Sequence, residues 1–98
     1  MPTIRTRISI IGLTHREVEA GLPTLEQHLR SLPQIQNPIT AWDDRTESLI
    51  LILESTGPDP TTASQSLLGQ LNEPVIRSFT ASSGHLHFQI DEAKPLPS

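Results

Sequence analysis

His85-Leu86-His87 is the sharpest chemical feature of this sequence. On a strand, residues two apart point the same way, and the ~3.3 Å rise per residue sets their Cβ atoms ~6.5–7 Å apart. Two imidazoles at that spacing can share a divalent cation, and Gln89 and Asp91 continue the same face. Zinc takes at least three protein ligands. A third would have to come from His15, His28 or a carboxylate, and no spacing in the sequence fixes one nearby. The competing reading is two solvent-facing histidines on a polar strand face. A third is a pH-sensitive pair, because imidazoles titrate close to neutrality.

A second group is Asp43, Asp44 and Glu47, with Arg45 inside it. Paired carboxylates serve acid–base chemistry or hold hard cations. Asp is also favoured in turns, where its side chain binds nearby backbone amides, and that reading explains the cluster without a ligand. A third group is cationic. Arg5, Arg7 and Arg16 precede the first acid, Glu17. Arg5 and Arg7 are candidates for an anion site, against the simpler reading of a solvated strand end. Gly12-Leu13-Thr14 could offer free amides to a small anion at a helix start, but it lacks a phosphate-loop pattern. No nucleophile elbow and no His-Glu-x-x-His motif occurs, so the reading implies no cofactor.

The elements that would position these residues follow from periodicity. Thr6 to Leu13 reads as an Ile-rich strand, with Ile8 and Ile10 on one side and Ile11 and Leu13 on the other. Thr14-His15-Arg16-Glu17 fits a capping box. Val18, Leu22, Leu25, Leu29 and Leu32 then form one apolar stripe, which predicts a helix running through Pro23 and ending before Pro33. Ile39 to Arg45 reads as a strand. Ser48 to Glu54, with five consecutive branched apolar residues, reads as a buried one. Asp59-Pro60 predicts the cap and first position of a second helix, ending by Pro74. Val75 to Thr80 and His85 to Asp91 read as a final hairpin across Ala81–Gly84, with Val75, Phe79, Leu86, Phe88 and Ile90 on one face.

This order predicts a ferredoxin-like βαββαββ sandwich of α+β class, with a mainly antiparallel sheet and two helices on one face. The strands at 6–13 and 48–54 should occupy its centre. With 98 residues the chain reads as one domain, 1–98, with an ordered core over 6–91 and a flexible tail over 92–98. Leu, Ile, Val and Phe make up 27 of the 98 residues, enough to fold.

Both central strands carry apolar residues on both sides, and the helices can cover only one. Ile8, Ile10, Ile50 and Ile52 are therefore candidates for an oligomer interface, most simply a homodimer about a two-fold axis. The formal net charge of −4 argues against nucleic acid and anionic membranes as partners. With no Cys there is no disulfide framework or thiolate site. No targeting or membrane-spanning run is visible, which gives a cytoplasmic expectation. The functional expectation is a non-enzymatic, self-associating module with a regulatory or assembly role. The alternatives are a small metal-dependent or His-assisted enzyme using the His85/His87 face, with a small-molecule ligand, and an accessory subunit of a larger complex.

Overall fold

The computed structural model describes residues 2–79 and 86–97. Its elements run β1 (Thr3–Ile11), α1 (His15–Ser31), β2 (Gln36–Asp43), β3 (Ser48–Thr56), α2 (Pro60–Ser78) and β4 (His87–Pro95). The four strands form one sheet in the order β2-β3-β1-β4, with every neighbouring pair antiparallel. This is the ferredoxin-like α+β arrangement, and the two most apolar strands are its centre.

Register decides which side chains are covered. Ile8 pairs with Leu51 and Ile10 with Leu49, so these residues share one face with Leu53. That face joins Val18, Leu25 and Leu29 of α1 and Leu67, Leu71 and Val75 of α2 in one apolar core. Both helices therefore cover the same side of the sheet. The other side carries Arg5, Arg7, Ser9 and Ile11 of β1 against Glu54, Ile52, Ile50 and Ser48 of β3.

Helix α1 starts as its sequence implies. The Glu17 amide donates to Thr14 Oγ1 at 3.2 Å, and the Thr14 amide donates back to Glu17 Oε1 at 3.3 Å. Pro23 lies inside the helix. Asp59 caps α2, accepting from the Thr62 amide at 2.8 Å, with Pro60 at the first helical position.

Two departures concern the C-terminal third. Helix α2 does not stop at Pro74 but continues to Ser78, so Val75–Ser78 is helix rather than strand. The stripe Ala63, Leu67, Leu71, Val75 keeps a four-residue step across the proline, and Val75 is fully buried. Burying that step outweighs the hydrogen bond Pro74 removes. Among the described residues there are thus six elements instead of the expected seven. The predicted hairpin turn at 81–84, with Thr80 and His85, lies outside the described residues. Strand β4 continues through Glu92–Pro95, and the Leu96 amide donates to the Thr3 carbonyl at 2.8 Å, so this part of the expected tail is tied to β1.

Candidate functional site

The uncovered side of the sheet holds the largest share of the residues singled out above. Its β2–β3 half is apolar. Ile39 faces Ile52 and Ala41 faces Ile50 across the ladder. Ile39 is 55% exposed and Ile11, at the end of β1, is 39% exposed. Of the four interface candidates, Ile52 is half-buried on this side of the sheet, and Ile50 points the same way but is only 7% exposed. Ile8 and Ile10 do not: both are fully buried beneath the helices. The register forces this correction, because Ile8 and Ile10 oppose Leu51 and Leu49, whose side chains the core requires. In their place the open face presents Ile11 and Ile39.

The β1–β4 half is polar. Arg5 Nη2 lies 3.5 Å from Glu54 Oε2, Arg7 Nε lies 3.7 Å from Asp91 Oδ2, and Lys94 Nζ lies 3.2 Å from Glu92 Oε1. The two arginines proposed for an anion therefore already face carboxylates. Ladder register shifts by one residue between Arg7 and Ile8, which makes Asp91 the extra residue of a bulge. A bulge re-aims side chains locally. Here two consecutive acids, Asp91 and Glu92, come to lie opposite Arg7. Ser9 Oγ donates to Asp91 Oδ2, and Gln89 Nε2 donates to Asp91 Oδ1 at 3.1 Å. A shallow recess of about 240 Å³ lies at the junction of the two halves, between Arg7, Ser9, Ile50, Asp43 and Asp91.

The other candidates are dispersed. His87 is exposed at the start of β4, opposite Ile11. His85 lies outside the described residues. Among the described residues no three His, Asp or Glu side chains gather as a metal would need. His15 opens α1, with Nε2 3.3 Å from Glu19 Oε1. Its ring stacks on Trp42, the centroids 5.8 Å apart and the planes 17° apart. Trp42 Nε1 donates to Asp44 Oδ1 at 2.7 Å, so the indole has the partner its half-buried position requires. Asp43 Oδ1 accepts from the Arg45 amide at 2.9 Å, which is turn chemistry. At the α1 start the capping box already uses the Thr14 and Glu17 amides. His28 lines a cleft between the two helices.

Sequence reasoning missed Ile39 as an exposed apolar residue and missed the bulge at Asp91. Ile39 had a signal, being a branched apolar residue beside Pro38 in a strand at the sheet edge. The bulge had none. No helix among the described residues is long and apolar enough to cross a membrane.

No protein-family model matches the chain, and no curated protein matches it. Two solved structures share its fold. One is a de novo designed protein with a ferredoxin fold, 11% identical over 94% of this chain and 87% of that one, with a TM-score of 0.56. The other, from Chloroflexus aurantiacus, is named for antibiotic biosynthesis monooxygenases. It is 17% identical over 95% of this chain and 90% of that one, with a TM-score of 0.51. At these identities the likeness establishes the fold alone.

Proposed function

We propose that this protein is a non-enzymatic, self-associating module that works in regulation or assembly, and that its working surface is the open face of the sheet. The observation that supports this reading is the apolar half of that face, where Ile39 is 55% exposed and adjoins exposed Ala41 and half-buried Ile52. Contiguous exposed apolar surface marks interaction sites.

The occupant is a second copy of the chain. Its apolar half can pack on the same residues of its partner, as an isologous interface demands. The ionic half does not oppose this. Arg5, Arg7 and Lys94 each have a carboxylate within 4 Å on their own chain, so a second copy meets paired charges. Size is adequate too. Four strands of about nine residues give a footprint of roughly 19 by 30 Å, near 600 Å². A standard interface takes roughly 800 Å² from each partner, so the face supplies most of it.

Sedimentation at micromolar concentration tests the reading. A dimer is expected, with Ile39→Glu and Ile52→Glu giving folded monomers. A parent protein that stays monomeric at high micromolar concentration overturns it, and so do variants that remain dimeric.

A further inference from the structure

We propose a second site on the opposite side of the molecule: the cleft between α1 and α2 binds a small zwitterion of amino-acid size. The cleft encloses about 310 Å³ and is lined by His28, Gly69, Gln70, Glu73, Pro74 and Arg77. That volume sits at the lower end of ligand pockets, which suits a metabolite rather than a polymer.

Three breaches of local rules meet there. Gly69 is in the interior of α2, where glycine is less favourable than alanine. No packing demands it, since a Cβ at Gly69 would meet nothing within 4 Å. Its effect is to keep the cleft wide. Pro74 is also inside α2, and it brings no N–H to the carbonyl of Gln70, four residues earlier. Gln70 Oε1 is buried and accepts no hydrogen bond among the described residues, while its Nε2 donates to Ser66 Oγ at 3.2 Å. A buried acceptor without a donor is destabilising. Sequences break local rules where function requires it. Here all three residues, Gly69, Gln70 and Pro74, line one cleft.

The charges at the rim define the ligand. Arg77 and Glu73 form an exposed pair one helical turn apart. Such exposed pairs contribute little to stability, so a ligand can take over either partner at little cost. A carboxylate would sit against the Arg77 guanidinium and an N–H of His28. An ammonium group would sit against Glu73. Leu32 and Pro74 offer an apolar wall for the remaining side chain. A simple anion uses only half of this set, and so does a simple amine.

Amide shifts of the isotopically labelled protein test the proposal. The probes are the common L-amino acids one at a time at millimolar concentration, with acetate and methylammonium as half-ligands. At least one amino acid should move Gly69, Gln70 and Glu73 saturably, and neither half-ligand should do so. Gly69→Leu should abolish the response by filling the cleft. Because leucine favours a helix over glycine, this variant should melt no lower than the parent. Arg77→Gln should weaken binding at least about tenfold, the loss of one charge-assisted hydrogen bond. The proposal is overturned if no amino acid moves those three amides, if the shifts survive Gly69→Leu, or if acetate alone reproduces them.

Discussion

Gly21→Ala and Gly69→Ala are the same chemical change in two helices, and the structure gives them opposite signs. At Gly69 the new methyl enters open space, so the variant keeps only the gain in helix propensity, about 0.5–1 kcal/mol. At Gly21 the methyl would lie 2.5 Å from the Ser78 carbonyl oxygen and 2.6 Å from Cε1 of Phe79. Ordinary contacts begin near ~3.5 Å, so α1 and the end of α2 must separate by roughly 1 Å. Ser78 O is backbone and Phe79 is 4% exposed, so neither side of the contact yields easily. Overpacking of this kind costs about 1–3 kcal/mol. Setting the propensity gain against it leaves Gly21→Ala destabilised by up to about 2.5 kcal/mol. In a domain of this size each kcal/mol moves the melting midpoint by roughly 4–8 °C. Thermal and urea denaturation followed by circular dichroism, at one fixed protein concentration, should show Gly69→Ala above the parent and Gly21→Ala below it. Equal stability of the two variants would refute the assignment of a close helix contact at Gly21.

Thr6 is fully buried and its Oγ1 has no hydrogen-bond partner, so Thr6→Val, which keeps the shape, should stabilise by about 1 kcal/mol in urea titration. The carboxyl of Asp59 is held below its ordinary value, first by the backbone N–H of Thr62 and then by that residue's hydroxyl. A depressed acid adds stability above its unfolded value, near 3.8, which disappears as pH falls through the folded one. Asp59→Asn should therefore be less stable at neutral pH and show a flatter acid limb in melting temperature against pH. Asp44→Ala removes the acceptor of the Trp42 indole, so the emission of this single tryptophan should change while the far-ultraviolet spectrum does not.

The legible parts of this fold were those specified by neighbours in sequence. The capping box at Thr14 and Glu17 and the Asp59-Pro60 start depend on residues three apart, and both formed as their spacing implied. Central placement of β1 and β3 followed from their branched apolar content. Pro74 follows the same rule as Pro23: the apolar stripe that carries helix α1 through Pro23 has its counterpart in Leu71 and Val75, which carry α2 through Pro74. The faces of β1 were a different matter. Ile8, Ile10 and Ile11 are alike chemically, and only the pairing with Leu49 and Leu51 decides which is covered. The bulge at Asp91 was not legible, since a register shift is a property of two strands far apart in the chain. The inter-helix cleft was hidden for the same reason: its lining comes from two helices whose approach no single stretch encodes.

The strand order also has a consequence in time. Strands β1, β3 and β2, with α1 between them, come from the first 56 residues and can pair as soon as that segment is available. Strand β4 completes the sheet on the other flank of β1, the first strand in the chain, so the last strand closes nearly the whole chain into one loop. Distant pairings of this kind form late and slow folding, because the entropy of closing the loop comes before its contacts. Until β4 arrives, the flank of β1 carrying Ile4 to Ile11 is an unpaired apolar edge, the kind of surface on which chains join wrongly. Lesions in β4 should therefore show up first as loss of soluble yield during synthesis, out of proportion to the small number of core side chains this strand contributes.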